Sequence, residues 1–216
     1  MSQMHLFFDL DGTLTDSRPG ILTSMRHALT ALKIEIPADE ALSRLIGPPT
    51  RDAFRELLKS NDPDLNERTI AIYRERYSTL GLFESSVYEG VSQGLRALRE
   101  ADFPLRVVTS KPEVYANRII DHFELRQYFG HVYGSELNGE RSNKGELIAH
   151  VLANEGISPA QAWMLGDRLH DIMGAKQNGL RSAGVLWGYG SREELSGAGA
   201  DLLFQTMPEL VRAFTS

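Results

Sequence analysis

Two aspartates, Asp9 and Asp11, stand two residues apart at the end of the apolar stretch Leu6-Phe7-Phe8. Carboxylates avoid apolar strands unless something compensates them. Three further stretches carry groups suited to one chemistry. Thr109-Ser110-Lys111 follows "LRVV", Arg141, Ser142 and Lys144 lie in "NGERSNKGE", and Asp167, Arg168, His170 and Asp171 follow "AWML". If Asp9, Asp167 and Asp171 converge, they repel unless a cation neutralises them, and hard oxygen ligands suit Mg2+. That cation and Lys144 would bind a phosphate dianion. The Thr109 hydroxyl and backbone N–H groups near Asp11 and Gly12 would complete the cradle. A carboxylate so held can attack phosphorus and form an aspartyl-phosphate. Asp11 would then protonate the leaving oxygen and later take a proton from water. Gly12 suits a tight turn, which the Thr13 hydroxyl can fix.

The surrounding pattern says what must position these residues. Apolar strands are expected at 6–10, 105–109, 131–134, 162–165, 182–186 and 201–204. Helices are expected between them, at about 90–101, 113–122, 144–155, 170–178 and 208–214. Such alternation means a parallel sheet with helices on both faces, whose ligands bind beyond the carboxyl ends of the strands. The stretch from about Pro19 to Leu80 has helical periodicity only, with Ile21, Leu22, Met25, Ala28 and Leu29 at three-and-four spacing. Pro37, Pro48-Pro49 and Pro63 punctuate it. The expected fold is therefore α/β. A Rossmann-like parallel sheet core (1–16 and 84–216) carries an inserted helical cap (17–83) as a lid over the strand ends.

Composition sets bounds. The 216 residues suffice for a full core, and 42% hydrophobic with 24% charged is ordinary globular protein. The net charge of −6 argues against general nucleic-acid binding. Residues 17–83 hold 10 lysines and arginines against 9 aspartates and glutamates, and the rest holds 13 against 20. The acidic part suits a cation, and the near-neutral insert suits the approach of an anion. Cysteine is absent, which removes disulfides and thiolate chemistry. No apolar run is long enough for a membrane span, and the short apolar start carries an aspartate without a basic leader. The expected location is the cytoplasm, as a monomer or homodimer.

"FDLDGTLTDS", "VVTSKP", a downstream lysine and "MLGDRLHDIMGA" together resemble the haloacid dehalogenase superfamily of phosphatases. "IGPPTRDAF" and "GVLWGYGSREEL" resemble local signatures of its phosphoglycolate-phosphatase-like group. The resemblance implies roles. Asp9 is the nucleophile and a Mg2+ ligand. Asp11 is the general acid/base, and its carbonyl also binds Mg2+. Thr109 holds the transferring phosphoryl group, with Gly12 and Ser110 beside it, and Lys144 balances its charge. Asp167 binds Mg2+ directly, and Asp171 does so directly or through water. Arg51 in the cap is a candidate substrate contact. The substrate implied is a small phosphorylated metabolite. "RSNKGELI" departs from the "KPxP" of many phosphoglycolate phosphatases and resembles general phosphatases or nucleotidases. Hexose-phosphate mutases usually have Gly-Val after the second aspartate, where this chain has Gly12-Thr13-Leu14. Haloacid dehalogenases usually lack an acid at the place of Asp11. Lys111 and His170 are expected at the surface, and Trp187 and Tyr189 at the sheet edge.

Overall fold

Leu6, Phe7 and Phe8 are fully buried because their strand, β1 (His5–Phe8), lies in the middle of a six-stranded parallel sheet. The computed structural model describes residues 3–216. The sheet runs β5-β4-β1-β6-β7-β8, with β4 Leu105–Pro112, β5 His131–Ser135, β6 Ala162–Gly166, β7 Arg181–Val185 and β8 Leu202–Phe204. Both neighbours of β1 are parallel to it, with Leu6 beside Leu105 on one side and beside Trp163 on the other. The order changes direction at β1, so its carboxyl end opens into a crevice between β4 and β6.

Both faces of the sheet are covered. Leu6 and Phe8 point into one apolar cluster, and Phe7 points into the other with Val108 and Met164. This period-two split explains why the strand is apolar throughout. On the Phe7 face pack α7 (Lys144–Glu155) and α8 (Leu169–Gln177), through Leu147, Ile148, Val151 and Ala175. The other face is covered by helices at Val91–Glu100, Glu113–His122 and Met207–Thr215, through Leu95, Ile119 and Leu210.

The segment after the first aspartates is helical: α1 (Arg18–Ala31), α2 (Asp39–Ser43), α3 (Thr50–Leu58) and α4 (Pro63–Arg76), the last continued by a wider turn at Tyr77–Gly81. Pro19 opens α1, and the Asp62 carboxylate caps α4 by accepting the Asp64 and Leu65 amides. Leu22, Met25, Phe54, Ile70 and Tyr73 share the apolar cluster of Leu6 and Phe8, so the helices sit against the strand ends. A two-stranded ribbon, β2 (Thr15–Asp16) against β3 (Ser86–Val87), ties the two crossings together.

Three features depart from the pattern expected of the sequence. β1 ends at Phe8, and Asp9 keeps only the bond from its amide to the Leu165 carbonyl. β4 runs on to Pro112, with its register against β5 shifted between Val108 and Pro112. The ribbon and a seven-residue helix, α9 (Arg192–Ala198), are additional. Two-residue strands show no periodicity, and α9 buries only Leu195, so neither leaves an apolar pattern.

A close approach fixes where α1 sits. A Cβ at Gly20 would lie 1.9 Å from the Gly81 carbonyl oxygen, which is backbone and cannot turn aside. Gly20→Ala should therefore destabilise the fold by about 1–3 kcal/mol. That is a fall in Tm of about 2–12 °C. Gly197→Ala, with nothing within 4 Å, should leave Tm unchanged or raise it. Calorimetry of the two variants checks both, and equal shifts would contradict the packing.

Candidate active site

The carboxyl ends of β1, β4 and β6 and the start of α7 bring Asp9, Asp167, Asp171 and Lys144 together. Carboxylate oxygens of the three aspartates lie within 4.8 Å of one another, and all three residues are buried. Lys144 opens α7, whose end is capped by the Asn143 side chain accepting the Gly145 and Glu146 amides. Its ammonium lies 2.9 Å from Asp9 Oδ1, 2.8 Å from Asp171 Oδ1 and 2.9 Å from the Val108 carbonyl oxygen. The ammonium thus donates to the Val108 carbonyl and pairs with both carboxylates. Burial alone would lower the Lys144 pKa, but the charges of Asp171 and Asp9 outweigh it and hold the pKa above the ordinary value.

The carboxylates are under opposite strain. Burial, then the charges of Asp171 and Asp9, push Asp167 well above the ordinary carboxylate range. Burial raises Asp171 to about 6 against the pull of Lys144, and Asp9 adds to the rise. Asp167 is oriented from two sides, accepting the Thr13 hydroxyl at 3.0 Å and the Tyr189 amide at 2.8 Å. Asp171 Oδ2 accepts the Arg168 amide at 3.1 Å. One lysine against three converging carboxylates leaves an excess of negative charge. Oxygen donors with that excess fit a hard divalent cation such as Mg2+.

Asp11 lies on the other side of the loop. Its Oδ2 is 3.0 Å from Lys111 Nζ, and its Oδ1 is buried without a hydrogen-bond partner. Asp9, Asp11, Thr109, Ser110 and Lys111 line one cavity of about 60 Å³, roofed by Ile46, Gly47 and Pro48 of the insert. Four consecutive residues, Thr109 to Pro112, reach it. A regular strand would send alternate side chains to opposite faces. The shifted register after Val108 is what turns these four to one side.

Several expectations need correction. Lys111 is buried, not solvated. It pairs with Asp11, donates to the Tyr77 hydroxyl and lies over the Tyr77 ring at 4.6 Å. The Gly12 amide is no phosphate donor, because it closes the loop by donating to the Thr15 carbonyl at 2.8 Å. Gly12 serves by shape: its φ is +85°, and a Cβ would lie 2.2 Å from Asp167 Oδ2. Arg51 does not line the cavity over Asp9; it pairs with Glu67 at 2.6 Å and borders an outer recess that shares Thr50, Arg74, Ser110 and Pro112 with that cavity. His170 is half-buried, and burial, then Arg168 and Lys144, lower its pKa. The Trp187 indole donates to the Thr13 carbonyl at 2.9 Å. The Tyr189 hydroxyl accepts the Ser17 and Arg18 amides and donates to Asp16. These two rings therefore brace the loop from Asp9 to Thr15 and the crossing into α1. The glycines around them in "WGYG" are the one sequence sign of such close packing.

Comparison with known proteins agrees with this arrangement. Residues 6–185 match the family model of haloacid dehalogenase-like hydrolases. A 5'-nucleotidase from Pseudomonas aeruginosa is 42% identical over 88% of this chain and 86% of its own. Tyrosine-protein kinase PtkA from Mycobacterium tuberculosis is 38% identical over 86% of this chain, which spans only 62% of PtkA. A phosphoglycolate phosphatase from Aquifex aeolicus is 29% identical over 85% of both chains. Among solved structures, a predicted phosphatase from Clostridium acetobutylicum superposes with a TM-score of 0.94 at 37% identity over 99% of both chains. The chain belongs to the haloacid dehalogenase-like hydrolase family.

Proposed function

We propose that the protein is a Mg2+-dependent phosphomonoester hydrolase. It acts on a small phosphorylated metabolite through an aspartyl-phosphate on Asp9, in the manner of a phosphoglycolate phosphatase. The observation that carries this reading is the pair of carboxylates on one loop, each on its own lysine and both facing one cavity. Asp9 is held in place by the Lys144 ammonium at 2.9 Å, which suits a nucleophile. Asp11 has one oxygen on Lys111 and a second, unpartnered one, which suits proton exchange with the leaving group.

The chemistry balances in two steps. An Asp9 oxygen bonds to phosphorus as the bond from phosphorus to the ester oxygen breaks, and Asp11 protonates the leaving alcohol. Water then attacks the same phosphorus, gives its proton to Asp11, and releases phosphate and the Asp9 carboxylate. Thr109 and Lys144 hold the transferring group. Asp9, Asp167, Asp171 and the Asp11 carbonyl would hold Mg2+, which when bound supplies positive charge against the phosphoryl oxygens. The cavity over Asp9, lined by the insert, keeps bulk water from the reacting atoms.

A second reading is a 5'-nucleotidase. The 42% identity to the Pseudomonas enzyme favours it, and so does the aromatic wall of Tyr73, Tyr77 and Tyr115. The size of the cavity disfavours it. About 60 Å³ holds roughly five water-sized groups, somewhat fewer than phosphoglycolate has and far fewer than a nucleotide, so a nucleotide requires much the larger movement of the insert.

Asp9→Asn should lower kcat by roughly a thousandfold or more while leaving Tm near wild type. A steady-state assay of phosphate release checks this, and retention of a tenth of the activity would refute the nucleophile. Chelation should abolish turnover, and Mg2+ should restore it. Mg2+ at a hundred times its Kd should also stabilise the fold by about 2.7 kcal/mol. That is a Tm rise of about 5–11 °C. Asp167→Asn should lose most of the rise. Thermal denaturation with and without Mg2+ tests it, and an unmoved wild-type Tm would refute the site.

A further inference from the structure

Lys111 is the buried lysine of the cavity, and its bonding is incomplete. Lys144 is matched by two carboxylates and a carbonyl. Lys111 has two partners, Asp11 Oδ2 and the Tyr77 hydroxyl, and its ring contact with Tyr77 holds the ammonium at the cavity wall. It is buried, at 8% exposure, so its third proton has no bulk water to face. Burying an ammonium with an unmet donor is costly unless a ligand meets it.

Its surroundings set the kind of ligand. The cavity walls around it are mostly apolar or aromatic, with Ile21, Met25, Tyr73, Tyr77 and Tyr115, and Arg74 adds a second cation to the lining. Lys111 pairs with Asp11, the acid proposed for the leaving oxygen, and Lys144 pairs with Asp9, so Lys111 belongs to the leaving-group side of the reaction. The small volume admits only a short leaving group. The bulge after Val108 fixes Lys111 and Thr109 on one rigid strand, so the distance between the two subsites is set by backbone.

We propose that Lys111 is a specificity-determining residue that binds an anionic group, a carboxylate above all, on the leaving alcohol of a short-chain phosphoester. The inference rests on the phosphatase reading above. An arriving anion takes the free proton of Lys111 and competes with Asp11 for the ammonium. Asp11 is thereby released toward the ester oxygen. A substrate without that anion leaves the Lys111–Asp11 pair intact.

The test compares 2-phosphoglycolate with 2-hydroxyethyl phosphate, which are alike in size but differ in leaving-group charge. Wild type should favour the first in kcat/KM. Lys111→Gln should reduce that preference by about tenfold or more, and Lys111→Arg should retain most of it. Phosphonoacetate and ethylphosphonate, measured by competition or calorimetry, read the same preference in binding, so a variant with little turnover remains informative. A preference that Lys111→Gln leaves unmoved in both measurements overturns the proposal, as does a wild type favouring the uncharged partner in both. A wild type that hydrolyses neither ester but binds phosphonoacetate preferentially through Lys111 overturns the phosphatase reading and leaves the anion subsite standing.

Discussion

Four carboxylates crowd the end of one parallel sheet, and two buried lysines hold them there. Asp9 and Asp171 share Lys144, Asp11 has Lys111, and Asp167 relies on the Thr13 hydroxyl and the Tyr189 amide. Burial first, and then like charges this close, hold Asp167 and Asp171 above the ordinary carboxylate range. The balance comes out two charges negative. A divalent cation would close it. Much of the nearby fold serves this balance. β1 must be apolar on both faces to bring Asp9 to the crevice, and α7 must begin at Lys144 for its ammonium to reach three acceptors.

The insert acts on the same site from above. Its helices share an apolar cluster with β1, and its Ile46-Gly47-Pro48 loop roofs the cavity. Arg168, next to Asp167, donates to the Ile46 carbonyl and to Glu194. Tyr189 joins Asp167 to the crossing between β2 and α1. Arg168 thus ties the carboxylate cluster to the roof, and Tyr189 ties it to the start of the insert. Closure over the cavity strengthens every charge interaction inside it by excluding water.

The sequence reveals most of what lies at regular strand ends. Asp9, Asp167 and Thr109 follow apolar runs, and a parallel sheet must bring such ends together. Lys144 reads as unusual because a lysine at a helix start opposes the dipole. Lys111 is not legible in this way. Its burial depends on a register shift against β5, a pairing between distant segments that local spacing does not encode. The engagement of the Gly12 amide is hidden for a similar reason, since the loop closes on Thr15 through backbone alone. Arg51 falls outside the cavity because α3 turns it toward Glu67, which depends on how α3 and α4 pack. The β2–β3 ribbon is too short to show a period, yet it marks where the insert leaves and returns.

The central claim is that Asp9 carries the phosphoryl group. The most direct measurement mixes the Asp11→Asn variant, in which breakdown of the intermediate is slowed, with phosphoester and Mg2+ for a single turnover. Acid quenching and peptide mass spectrometry then locate any adduct. The expected result is one phosphoryl group on Asp9, absent when Asp9 is also replaced by Asn. Leaving alcohol released in a full turnover with no adduct, or an adduct on another residue, would contradict it.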